Sequence, residues 1–302
     1  MKESPVLITG STGFIGGNLI KTMAARGYPL LLLNRRRRDD IPTGSIIQEI
    51  FPSTCDEMEK LFQQYHPSGV IHLATEFAVF HNSSAVEKMI DANIASGMRL
   101  LEAAHKTDVP WFINTGTFWQ HLGGAEYEPV NLYAATKQAL ESVAHYYRRV
   151  SHTKIVTLCL NDTYGRNDKR KKIFALWKDL IQNKSASMNM SPGEQLIDIL
   201  HISDVCDGFI HLVNILNNNQ LTCEDGDIFY LSSGKMLKLK ELAGVFEEIA
   251  GCRLNINWGA NGYREREVML PACSGNPLPG WKAKISIECG ITDFLREDDH
   301  TE

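Results

Sequence analysis

The apolar positions of this chain fall into two rhythms. Short unbroken apolar runs occur at Pro5–Thr9, Leu30–Leu33, Ser45–Ile50, Gly69–Ala74, Trp111–Asn114 and Ile155–Leu160. Between them lie longer stretches with helical spacing, at Phe14–Arg26, Cys55–Tyr65, Ser84–His105 and Leu132–Val150. A strand that is apolar throughout, not at alternate positions, is one buried on both faces, as in a parallel sheet. Each parallel connection needs a crossover helix, so the alternation predicts an α/β fold with a doubly wound parallel sheet of the Rossmann type. Beyond Leu160 the rhythm loosens. Residues 161–172 are polar and basic, Phe174–Gln182 and Ser203–Leu216 read as helices, Ser191-Pro192-Gly193-Glu194 reads as a turn, and Gly259–Trp281 is rich in Gly, Pro and Arg. The pattern predicts a main domain over residues 1–160, to which 196–217 returns. A smaller irregular C-terminal lobe, from 161–195 and 218–302, would hold the substrate.

Composition narrows the classes. With 302 residues, 43% hydrophobic and 22% charged, the chain is ordinary for a globular protein and unlike collagen, coiled coils or disordered segments. A formal net charge of −5 gives no general basic field for nucleic acid. The basic runs Arg35-Arg36-Arg37-Arg38 and Lys169-Arg170-Lys171-Lys172 are short. The longest apolar stretches are strand-sized, so no membrane span is expected. The first strand begins too early to leave room for a signal peptide. Seven cysteines, odd in number and without a C-x-x-C pair, fit reduced thiols in a cytoplasmic protein and argue against a zinc site. No H-E-x-x-H or carboxylate cluster suggests a catalytic metal.

Chemistry first shows in Thr9-Gly10-Ser11-Thr12-Gly13-Phe14-Ile15-Gly16, directly after the first strand. Glycines at 10, 13 and 16 permit a tight turn and let backbone N–H groups approach a pyrophosphate, with the positive end of the next helix behind them. In this context the segment predicts a dinucleotide site built by Gly10, Thr12, Gly13, Phe14, Ile15 and Gly16. The spacing is G-x-x-G-x-x-G, and a tight turn with close helix packing is the alternative. Asn34-Arg35 follows the second strand, where an acid would accept the ribose hydroxyls of NAD. No carboxylate there repels a 2′-phosphate, and Arg35 can pair with one, so NADP(H) is the expected cofactor. The competing reading is a solvated basic loop.

Tyr133 and Lys137 stand at i and i+4 on one helix face. An ammonium beside a phenol lowers its pKa and equips it for acid–base work, although an exposed pair of this kind is common. Thr117 follows the fifth strand at the edge where open α/β sheets bind ligands, and its hydroxyl could bond a carbonyl while Tyr133 donates the proton.

Taken in order, T-G-x-x-G-F-I-G, Ile71-His72-Leu73-Ala74, Asn93 in a long helix, a hydroxyl residue after the fifth strand and Y-x-x-x-K resemble an extended short-chain dehydrogenase/reductase of the NAD-dependent epimerase/dehydratase family. Tyr164-Gly165-Arg166-Asn167-Asp168 is similar to the family's Y-G-P-x-D, and Pro279-Gly280-Trp281-Lys282 to its L-G-W-x-P. The resemblance implies hydride transfer on a nucleotide-linked sugar, with Thr117, Tyr133 and Lys137 as catalytic trio and Asn93 supporting the lysine through water. It places Leu73 and Ala74 beside the cofactor and Glu49 and Ile50 near its adenine. It also implies a homodimer through Ser84–His105 and Leu132–Val150.

Departures from the family pattern point to the reaction. Sugar-nucleotide 4,6-dehydratases carry an Asp-Glu pair after the catalytic hydroxyl residue; here Phe118-Trp119 stands there, and two aromatic rings cannot act as acid and base. They are read instead as walls of the sugar pocket or as core. Ile197 replaces an arginine that many members use for the diphosphate. Arg264 and Arg266 are therefore the expected diphosphate ligands, with Arg166 and the 169–172 run as second candidates; for the lysines of that run a solvated reading is favoured. Asp162 replaces a frequent Asn beside the sugar-nucleotide pocket. His72 is read as a buried, satisfied histidine. The segments 114–121 and 160–165 look most like the CDP-abequose and CDP-paratose synthase group. The expectation is an NADPH-dependent reductase of a nucleotide-linked keto-deoxysugar, with an NAD-dependent epimerase as the alternative and a non-catalytic NADP-binding regulator as the other.

Overall fold

A computed structural model of the chain describes residues 4–38, 41, 46–124, 126–183, 186–221, 226–273 and 275–296. The first part alternates β1 (Val6–Thr9), α1 (Phe14–Ala25), β2 (Leu30–Asn34), β3 (Ile46–Ile50), α2 (Cys55–Tyr65), β4 (Gly69–His72), α3 (Ser83–Met89), α4 (Ser96–Lys106), β5 (Trp111–Thr117), α5 (Leu132–Val150) and β6 (Lys154–Leu160). The remainder adds β7 (Asp162–Tyr164), α6 (Ile173–Gln182), β8 (Met188–Met190), β9 (Leu196–Ile197), β10 (Ile199–His201), α7 (Ile202–Asn217), β11 (Ile228–Leu231), β12 (Leu237–Lys238), α8 (Leu239–Ala250), β13 (Ile256–Trp258), β14 (Asn276–Pro277) and α9 (Ile287–Leu295).

The doubly wound sheet is present. Eight strands run in the order β14-β11-β6-β5-β4-β1-β2-β3, all pairings parallel. Successive strand residues point to opposite faces, and both faces are covered. Val6, Ile8, Leu30, Leu32, Ile113 and Leu158 pack beneath α1 and α7, against Leu19, Met23, Phe209 and Val213. Leu7, Leu31, Val70 and Phe112 pack on the other face against Phe62, Leu101 and Leu140 of α2, α4 and α5. The lobe has its own core, in which Phe174 and Trp177 of α6 meet Phe246 of α8 and Phe294 of α9.

Three features differ from the sequence reading. The sheet does not stop at residue 160: β11 pairs with β6, Ile228 opposite Thr157, and β14 pairs with β11. A four-residue apolar run is too short to stand out where the surrounding pattern is loose. The helix expected over 84–105 is interrupted by a π-helical segment, Ile90–Ala95, which carries Asn93. β5 continues past Asn114, so Thr117 ends the strand instead of following it, and its hydroxyl accepts the Trp119 N–H of a short 3-10 turn. Among the described residues no helix is long and apolar enough to cross a membrane, and no cluster of side chains suits a metal ion. Six cysteines are free thiols; Cys223 lies outside the described residues.

Candidate active site

The glycine turn closes over the C-terminal end of β1. Gly10 has φ +74°, and a Cβ there would lie 2.6 Å from the Ala74 nitrogen; one at Gly16 would lie 2.1 Å from the Gly10 carbonyl oxygen. Both glycines are thus required by the packing of the turn itself, as the tight-turn reading holds. Gly13 differs, because the nearest atom to a Cβ there is 3.4 Å away. It is the N-cap of α1, supplies no capping side chain, and no acid occupies the first helical turn. The first N–H groups of α1 therefore start without a capping side chain at a cavity of about 250 Å³ lined by Gly10, Gly13, Phe14, Ile15 and Gly16 on one side and Leu73, Thr75, Thr117, Tyr133 and Lys137 on the other. Thr12 is exposed on the turn.

Thr117, Tyr133 and Lys137 come together in that cavity. The Tyr133 phenol lies beside the hydroxyls of Thr75 and Thr117; burial pushes its pKa up to about 12, while those two hydroxyls act against the rise. Burial lowers Lys137 to about 8. The lysine is 2% exposed and its ammonium has no hydrogen-bond partner among the described residues. An orphaned buried cation beside uncapped helix N–H groups fits a phosphate- and ribose-bearing cofactor.

The Asn93 side chain is committed to the 75–76 loop and to α5. Its Oδ1 accepts from the Thr75 hydroxyl (2.9 Å) and the Glu76 N–H (2.7 Å), and its Nδ2 donates to the Glu76 carbonyl (3.0 Å) and to Thr136 (2.9 Å). Two donors and two lone pairs are thereby committed, leaving none to reach Lys137 through water. The π-helical turn brings this amide inward, where it pins the 75–76 loop to α5.

A second cavity, of about 510 Å³, opens between sheet and lobe and shares Phe77, Trp119, Asp162, Arg170 and Lys172 with the first. Phe118 and Trp119 do line it, the former 7% exposed. The 169–172 run is not simply solvated. Lys169 and Lys171 are exposed, but Arg170 makes two 2.7 Å bonds to Asp168 and lies 4.3 Å above the Phe14 ring. Lys172 pairs with Asp162 at 3.1 Å and sits over the rings of Phe77 and Trp119. Arg264 and Arg266 reach the same cavity from the lobe; Arg266 is held by the Pro129 carbonyl and Glu128. Ile197 lines the wall as an apolar residue.

The sequence profile of the NAD dependent epimerase/dehydratase family matches residues 6–221, from β1 to the end of α7 and slightly beyond. The chain belongs to that family. Among curated proteins it is 24% identical over 300 residues to a CDP-abequose synthase of Salmonella typhimurium, covering 96% of this chain and 97% of that one. It is 25% identical to a CDP-abequose synthase of Yersinia pseudotuberculosis, covering 88% and 91%. Among solved structures it superposes on a UDP-glucose 4-epimerase of Thermotoga maritima with a TM-score of 0.78 at 20% identity, covering 95% and 96%. An NAD-dependent NDP-hexosamine 5,6-dehydratase involved in tunicamycin biosynthesis gives 0.77 at 21%. These likenesses establish the family's fold over nearly the whole chain.

The remaining residues expected from the family pattern are scattered around the turn. Asn34 is buried and its Oδ1 accepts from the Ser11 hydroxyl at 2.6 Å, while its Nδ2 lacks a partner among the described residues. Arg35 is exposed beside it, and Arg38, which the sequence did not single out, donates to the Ser11 carbonyl at 2.9 Å. Glu49 is hydrogen-bonded by the Tyr65 hydroxyl and lies 3.9 Å from Arg37, and Ile50 is exposed. Leu73 lines the first cavity, and Ala74 abuts Gly10 with its N–H on the Thr9 hydroxyl. Sequence reasoning missed Thr75 and Phe77 as parts of the site, and gave Arg170 and Lys172 only as second candidates within the 169–172 run. Only their positions after a strand end signal the first two; nothing in the local pattern does.

Proposed function

We propose that the chain is an NADPH-dependent reductase of a nucleotide-linked keto-deoxysugar, with CDP-linked 4-keto-6-deoxyhexoses as the substrate class. The observation that carries this is Tyr133: a protonated phenol beside Thr117 and Thr75 in the smaller cavity, next to Phe77 and Trp119, which line both cavities. A phenol held near 12 is a donor at neutral pH and a scarce base, which suits proton delivery to a developing alkoxide. Thr117 would hold the carbonyl oxygen in place. The aromatic pair Phe118-Trp119 leaves no acid–base couple for water removal. When bound, the nicotinamide supplies the hydride; the N–H groups at the start of α1 would hold its pyrophosphate, Lys137 its ribose, and Asn34 with Arg35 the 2′-phosphate side. Arg264, Arg266 and Arg170 line the cavity where a sugar diphosphate would need cations.

The CDP assignment is supported by the CDP-abequose synthases of Salmonella typhimurium and Yersinia pseudotuberculosis among the relatives. An epimerase reading is supported by likeness of fold to enzymes of that name. We further read the protein as cytoplasmic and as a homodimer through α4 and α5, whose outer faces expose Met98, Tyr146 and Val150. The test is NADPH oxidation with CDP-, dTDP-, GDP- and UDP-linked 4-keto-6-deoxy sugars. Turnover with a CDP-linked member is expected. Tightly retained NAD with no NADPH consumption on any member would favour the epimerase.

A further inference from the structure

Lys137 is a buried cation; Asp162, the carboxylate lining the same cavity, is paired with Lys172 at 3.1 Å, and Arg170 there is paired with Asp168. Asn93 is saturated by the 75–76 loop and Thr136. Tyr133, on the same helix, is neutral. From β4, His72 is within electrostatic reach, and burial drives its ring down to about 3, so it is neutral too. Its Nδ1 bonds Thr9 at 2.8 Å while Nε2 has no partner among the described residues, so it is only half satisfied there. From β6, the Cys159 thiol is pushed well up by burial and carries no charge near neutral pH.

One ionised group remains among those that act on the lysine. Glu141 lies one turn along α5, on the same helix face, and is 6% exposed. Arg148 donates to its Oε1 at 2.5 Å, and Asn114 and Thr157 donate to its Oε2 at 3.3 and 2.5 Å. Arg148 also donates to the Ile155 carbonyl and Thr157, which fixes the guanidinium on the far side of the carboxylate. The pair is thus a buried dipole whose negative end is the nearer along α5 to Lys137.

We propose that Glu141, clamped by Arg148, Asn114 and Thr157, is a positioning residue that holds Lys137 as a cation in its buried place. This rests on reading Lys137 as part of the active site. Burial lowers the lysine to about 8; Cys159 and Glu141 act in the opposite direction, and burial holds the Cys159 thiol protonated while Glu141 is ion-paired with Arg148. Without Glu141 the ammonium would lose its proton within the working pH range.

The test is an NMR titration of the ¹⁵N-labelled Lys137 side chain in the ligand-free protein, assigned by its absence in Lys137→Met. Glu141→Gln should move the midpoint down by about 1 in pH, at the low end of what a facing carboxylate exerts. Arg148→Met should move it up. If Glu141→Gln does not fold because Arg148 is left unpaired, Glu141→Gln/Arg148→Met removes both charges and should still lower the midpoint. A fall in melting temperature with an unmoved Lys137 midpoint in the variants that fold would overturn the proposal. Because no coenzyme or sugar is present, this result and the NADPH result can fail independently.

Discussion

The ring of Phe77 stands edge-on to that of Tyr133, centroids 5.0 Å apart and planes at 77°. The same ring contacts Trp119 at 5.6 Å, so the Tyr133 phenol is walled by two aromatic side chains. The wall depends on Asn93, which pins the loop that carries Phe77. A face without hydrogen-bonding groups suits the deoxy carbons of a sugar better than its hydroxyls. Phe77→Ala is expected to raise KM for the keto sugar by about 3- to 10-fold, the scale of one aromatic contact, with a smaller change in kcat. An unchanged KM would remove Phe77 from the sugar pocket.

Coenzyme choice is the second prediction. No acid ends β2, and Arg35 and Arg38 follow Asn34. The ratio of kcat/KM for NADPH over NADH should exceed one, and Arg35→Asp should shift it towards NADH. A wild-type preference for NADH would contradict the assignment.

The two arginines proposed for the diphosphate are separable. Arg266 is already held by Pro129 and Glu128, whereas Arg264 lies 3.9 Å from Glu267 and is more exposed. Arg266→Ala should raise the substrate KM by roughly 10-fold or more, as expected on losing a charge-assisted bond. Loss of Arg264 should do so through the same cavity. If KM is unchanged in Arg266→Ala, that residue does not hold the diphosphate.

Proton bookkeeping gives a pH profile. Reduction requires the Tyr133 phenol protonated and, for its charge, the Lys137 ammonium protonated. Lys137 is lowered to about 8 and Tyr133 raised to about 12. Activity should therefore hold below pH 8 and fall as pH rises through it, the lysine losing its proton first. Lys137→Arg keeps a cation that does not titrate and should abolish that limb, whatever activity it retains. An alkaline limb that survives in Lys137→Arg would assign it to another group.

Much of this architecture is legible in the chain. The six apolar runs and their crossover helices predict the doubly wound sheet, because a parallel strand buried on both faces cannot be polar at alternate positions. The glycine turn and the 133/137 spacing are local, so they survive reading from sequence. What escapes is set by long-range packing. β11 and β14 join the sheet only because β6 offers them an edge. Asn93 acts through a π-helical turn that no periodicity announces, and its partners lie 17 to 43 residues away. Arg170 and Lys172 look like a basic surface run until the Phe14 ring folds under the first and the rings of Phe77 and Trp119 under the second.

The account stands on Tyr133 as the proton donor in an NADPH-dependent reduction. The most direct measurement compares NADPH oxidation by the wild-type protein and Tyr133→Phe on a CDP-linked 4-keto-6-deoxy sugar, with coenzyme binding checked in both. The account predicts steady oxidation by the wild type and a loss of about 10²- to 10⁴-fold in kcat for the variant at unchanged coenzyme affinity. Equal rates in the two proteins would contradict it.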